Sequence, residues 1–185
     1  MASRPHRMSW LVSVLAGASL MLISVGCVEE PPPGPDLIAE MTAGTSALDG
    51  TGFNIVSSGQ DAELVSGAQG GFHVWINFRV QKTAGRLYIR REARRVVDDE
   101  LILRGLPALV EVPEDAMSGW WESPAAAPAF MCPSPLGLKV FDQEISFQVT
   151  LETESGELVA EDEVILTPRC PDNEHNQFCQ DICSG

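Results

Sequence analysis

Phe72-His73-Val74-Trp75-Ile76-Asn77-Phe78-Arg79-Val80 alternates without a break. Phe72, Val74, Ile76, Phe78 and Val80 fall on one face, and His73, Trp75, Asn77 and Arg79 on the other. Side chains in an extended chain point to opposite faces in turn, so nine residues of strict alternation predict a strand with one face buried. Ile145-Ser146-Phe147-Gln148-Val149-Thr150-Leu151 repeats the pattern. Glu154-Ser155-Gly156-Glu157 then reads as a turn into Leu158-Val159-Ala160, and Glu163 to Thr167 makes a further strand closed by Pro168. Weaker strand signals lie at Asp61–Val65, Arg86–Arg90, Glu100–Leu103 and Ala108–Val112. No long, capped helical period interrupts them. About seven short strands separated by turn signals predict an all-β fold, an antiparallel immunoglobulin-like β-sandwich, with a small barrel as the alternative. The segment from Ser118 to Pro135 is rich in Gly, Pro and Ala and is expected to be a long loop.

Outward from this body, the amino end is of another kind. Arg4 and Arg7 head an apolar run from Trp10 to Val25, too short to span a bilayer in comfort, which is the make-up of a secretory signal. Ser24-Val25-Gly26-Cys27 resembles the lipobox of bacterial lipoproteins. The resemblance implies cleavage before Cys27, lipidation of Cys27, and a cell-envelope address. Val28, where an inner-membrane lipoprotein carries Asp, favours the outer membrane on the same resemblance. Glu29-Glu30-Pro31-Pro32-Pro33-Gly34-Pro35-Asp36 reads as a semi-rigid tether. The expected organisation is therefore a signal peptide over 1–26, the lipidated cysteine and tether over 27–45, the sandwich over 46–169 and a cysteine-rich tail over 170–185. The partner this implies is the membrane, through the lipid on Cys27, with an envelope protein or a glycan as the further partner.

Charge narrows the function. Twelve basic residues stand against 26 acids, and removal of the leader with its two arginines takes the net charge to −16. That balance argues against nucleic acid, whose recognition is dominated by phosphate contacts with Lys and Arg. Export to an oxidising compartment predicts that Cys132, Cys170, Cys179 and Cys183 form two disulfides, in any of three pairings.

Several clusters invite a chemical reading. His175 among the tail cysteines would suit a metal, yet only Cys179 and Cys183 have a zinc-like spacing, so no metal is expected and a metal-binding lipoprotein using His175, nearby carboxylates or His73 is the rival. His73, Trp75, Asn77 and Arg79 would form a ligand platform. The simpler expectation is that Trp75 is covered by a loop or a neighbouring sheet while its companions face water. Trp120 and Trp121, adjacent in a loop, would either stack on a partner or plug the end of the sandwich. Arg86, Arg90, Arg91, Arg94 and Arg95 are expected to be neutralised by Asp98, Asp99 and Glu100 across a hairpin. There is no G-x-S-x-G, H-E-x-x-H, P-loop or dinucleotide fingerprint, and only His73 and His175 remain as bases in the mature chain. The sequence thus predicts a non-enzymatic lipid-anchored module, without a cofactor, that binds a ligand or partner; an envelope hydrolase is the remote alternative.

Overall fold

A computed structural model describes residues 39–185. The leader, Cys27 and the proline-rich tether lie outside the described residues. The body is a β-sandwich of two packed sheets. Its strands are β1 (Glu40–Thr45), β2 (Gln60–Glu63), β3 (Val65–Ser66), β4 (Phe72–Gln81), β5 (Gly85–Arg95), β6 (Glu100–Arg104), β7 (Ala108–Val112), β8 (Trp121–Glu122), β9 (Ala127–Cys132), β10 (Ile145–Glu152) and β11 (Leu158–Arg169). A short helix, α1 (Asn176–Ile182), closes the tail.

The first sheet is organised on β4, which has two partners on each edge. β1 and β3 pair antiparallel with one edge, while β8 and β9 pair antiparallel with the other. The second sheet runs β2-β11-β10-β5, with β6 and β7 sharing the far edge of β5. The all-β sandwich is as the periodicity predicts, with two differences. Among the described residues the strands number eleven, because both long central strands take split partners. β2 runs parallel to β11, pairing Gln60 to Glu63 with Leu166 to Arg169, so the second sheet is mixed.

Alternation decides which atoms meet between the sheets. Phe72, Val74, Ile76, Phe78 and Val80 of β4 face Ile145, Phe147, Val149 and Leu151 of β10, with Leu87 and Ile89 of β5 beside them, and all of these are buried. Each such side chain contributes about 1.5–3 kcal/mol by leaving water. Asp162 Oδ2 accepts the Ala43 N–H at 2.7 Å and ties β11 to β1 where apolar packing thins out.

Two expectations need correction. β1 begins at Glu40, so the ordered body starts inside the segment assigned to the tether; Met41 and Ala43 pair with Val80 and Phe78 and extend the same inward face. Ser118–Pro135 is no loop throughout, since β8 and β9 pair with β4 along Arg79–Val80 and Phe72–Ile76. Its Ala and Pro content hides the strand, but Ala129 and Met131 are buried while Pro128 and Phe130 face out. The tail is stapled by two disulfides, as expected, and they hold its short helix. Cys132–Cys183 spans 51 residues and Cys170–Cys179 spans nine. On loop-closure entropy the first stabilises by about 4 kcal/mol and the second by about 2.5 kcal/mol.

Candidate functional site

The outward face of β4 departs most from the sequence expectation. Its four side chains do not face water as a row. Asn77 is only 2% exposed: Nδ2 donates to the carbonyls of Gly52 at 2.7 Å and Ser123 at 3.0 Å, and Oδ1 accepts the Phe78 N–H. One amide thereby pins two loops over the middle of the strand. Trp75 is half-buried, as expected for a covered indole, and its Nε1–H donates to the Leu48 carbonyl at 2.9 Å. Gly50 lies flat on that indole with φ of +83°, and a Cβ there would sit 3.2 Å from the ring. Only glycine combines that conformation with that approach.

His73 was expected to face water and is 5% exposed. Its ring meets Trp75 edge-on at 4.5 Å between centroids and tilts against Phe130 at 5.5 Å. Neither ring nitrogen has a hydrogen-bond partner among the described residues. Burial without a compensating charge lowers the pKa of His73, which keeps the imidazole neutral at pH 7. A buried polar group without a partner costs about 1–3 kcal/mol, so a histidine in this state is a liability to the fold.

This histidine forms the floor of a pocket of about 690 Å³. Cross-strand pairing builds it: His73 stands opposite Phe130, and Trp75 opposite Pro128, so alternate residues of β4 and β9 point into one hollow. Leu48 closes one side and the β3–β4 turn, with Gly67, the other. Thirteen residues line it and none is Asp, Glu, Lys or Arg, in a chain with 38 charged residues. The lining is chiefly apolar, and Leu48 and Phe130 stay 57% and 54% exposed at the rim. A concave, apolar site with a few inward polar groups is the usual form of a small-molecule site.

The other residues singled out in the sequence lie elsewhere. Trp120 and Trp121 part company. Trp121, on β8, packs toward the core with its ring 6.1 Å from Phe78, whereas Trp120 is 42% exposed and lies 4.4 Å from the Arg79 guanidinium. Arg79 also reaches over Phe53, so this end of β4 is a cation–π stack that occupies its own aromatic faces. The basic run is distributed along β5. Arg90 pairs with Glu152 at 2.7 Å, Arg94 with Glu92 at 2.6 Å, and Arg95 with Asp98 at 2.5 Å. The Arg94 guanidinium, aided by Arg104, holds the Glu92 carboxyl below the usual carboxylate range. Arg86 and Arg91 are the exceptions, without an ion pair among the described residues: Arg86 is exposed, whereas Arg91 shares the inward face with Ile89 and Ala93, and burial lowers its pKa.

In the tail, the sulfurs of Cys170, Cys179 and Cys183 cluster within 4.8 Å, but each is committed to a disulfide and supplies no thiolate for a metal. His175 is exposed at a helix end, 3.8 Å from Glu174. Thus the structure brings together His73 and Trp75, separates them from the tryptophan pair, and leaves His175 apart. It adds Phe130, Leu48 and Gly67, which the sequence did not single out. Phe130 alone carried a signal, as a lone aromatic in a stretch otherwise small. No protein-family model, curated protein or solved structure matches this chain.

Proposed function

We propose that this chain is a lipid-anchored cell-envelope protein whose β-sandwich is a non-enzymatic binding module, with the hollow between β4 and β9 as its ligand site. The observation that carries the reading is His73, almost sealed from water, neutral, and without a hydrogen-bond partner at the floor of a charge-free pocket. Folds tolerate such a group where a ligand completes it. The anchor rests on the leader and Ser24-Val25-Gly26-Cys27. Several acyl chains on one cysteine hold a domain firmly, each buried CH₂ adding about 0.8 kcal/mol.

Two measurements test the two halves. Cells making the full chain should incorporate labelled palmitate, and Cys27→Ser should abolish the label; a labelled Cys27→Ser chain contradicts the anchor. Nile red, neutral and apolar, should brighten and shift to the blue on adding the mature chain carrying Cys27→Ser. Phe130→Asp, at an exposed rim position, should remove that signal without changing the thermal midpoint. Undiminished dye binding by Phe130→Asp contradicts the site.

A further inference from the structure

We infer that the pocket selects an uncharged aromatic ligand bearing a hydroxyl, of the phenol or naphthol class, with the hydroxyl bonded to His73. The inference rests on the reading of the hollow as the ligand site and adds the chemistry of its occupant. Three observations lead to it, each excluding a class.

Absence of charge on the lining excludes ions. A carboxylate or phosphate would find no cation among the thirteen lining residues, and an ammonium would find no acid. Moving either from water to an apolar wall without a counter-charge is strongly unfavourable. A metal ion is excluded on the same ground, since His73 would be its sole protein ligand and Cys132 is bonded to Cys183.

The side-chain inventory then separates a sugar from an aromatic alcohol. A sugar presents hydroxyls around its whole rim and needs polar groups on several sides. Here the polar side chains are Ser66, Gln69 and His73 alone, whereas Trp75, Phe130, Leu48 and Pro128 offer apolar surface. The aromatic walls stand edge to face, with His73 and Trp75 at 84°. A flat ring placed among them meets either an edge or a face at favourable geometry.

The neutral imidazole sets the polar group. One nitrogen donates and the other accepts, and both are unsatisfied. A hydroxyl both donates and accepts, so it can complete either nitrogen, whichever tautomer is present. Nδ1 faces the β3–β4 turn, where a Cβ on Gly67 would lie 3.6 Å from Nδ1 and 3.8 Å from the Phe130 ring. Both nitrogens are closed to solvent in this structure, so a hydroxyl reaches them by displacing the turn over His73, where Gly70 at φ +82° has open space around it and a Cβ on Gly67 would add a contact over Nδ1.

The mature chain carrying Cys27→Ser, at pH 7.5, is titrated with 2-naphthol, naphthalene, 2-naphthoate and methyl glucoside, observing the Trp75 indole and His73 imidazole resonances. One molecule of 2-naphthol should bind per chain, several-fold to tenfold more tightly than naphthalene, and move the imidazole nitrogen shifts. His73→Phe should abolish the preference for 2-naphthol over naphthalene. Gly67→Ala should weaken 2-naphthol while the fold is retained. Equal binding of 2-naphthol and naphthalene, or preference for the naphthoate or the glucoside, overturns the ligand class yet keeps the pocket. Failure of every probe to perturb Trp75 overturns both readings.

Discussion

The outward faces of β4 and β5 look toward solvent from opposite sides of the same sandwich, and they are solved differently. On β5 most outward charges have an answer nearby, Arg90 with Glu152 and Arg94 and Arg104 with Glu92, while Arg86 stands in water without an ion pair among the described residues. No polar side-chain atom on that face is buried without a partner among the described residues. On β4 the centre is finished by Asn77, but among the described residues His73 at one end is buried with two idle nitrogens, and the Arg79 Nε at the other is buried without a hydrogen-bond partner. Packing alone does not require a histidine at 73, since Trp75 and Phe130 would accept a phenyl ring between them. A face that pays for buried, unfilled polarity, while its opposite number keeps its charges paired or in water, is the one to read for function.

The comparison can be strained from its largest element downward. Cys132 lies on the wall of the pocket and anchors β9 to the tail. Cys132→Ala with Cys183→Ala should cost about 4 kcal/mol in urea denaturation, from a loop of 51 residues. Exchange protection should be lost first along β4–β9 and last along β5–β10; uniform loss would mean that the β4 face has no weaker local stability than the β5 face. Asn77→Ala removes the donor shared by Gly52 and Ser123 and strands two carbonyls beneath the loops. It should cost about 2 kcal/mol, with Trp75 fluorescence shifting red as the Leu48–Asn54 loop lifts. On the β5 face, Glu92→Gln breaks two ion pairs at once, yet should move the thermal midpoint by an amount close to its reproducibility, and by less still in high salt. A large effect of Glu92→Gln would erase the contrast.

Much of this architecture was legible because period 2 survives in β4, β10 and β11, whose inward residues are large and apolar. Where inward residues are small, as with Ala43 on β1 and Ala129 on β9, the same geometry leaves no hydrophobic signal, and the strands were missed. α1 was missed for a different reason: its seven residues have little helical period, and the disulfides hold Cys179 and Cys183 against the body. His73 and Trp75 could be named from the alternation, but not their burial. That depends on the chain folding back at Leu48–Asn54 and on Phe130 arriving from β9, both contacts between residues far apart in sequence.

The central claim is that His73 is left unsatisfied by its own fold. Equilibrium urea denaturation of the wild-type chain and His73→Phe, at pH 7.5 and pH 5.5, tests it most directly. Burial lowers the pKa of His73 in the folded chain, so the unfolded chain binds the extra proton first as pH drops below about 6.5. Wild-type stability should therefore fall across that window relative to the variant. The account predicts that His73→Phe is more stable by about 1 kcal/mol at pH 7.5, with the gap wider at pH 5.5. A variant less stable than wild type at both values would show that the imidazole is held by bonds of its own, and the site would lose its foundation.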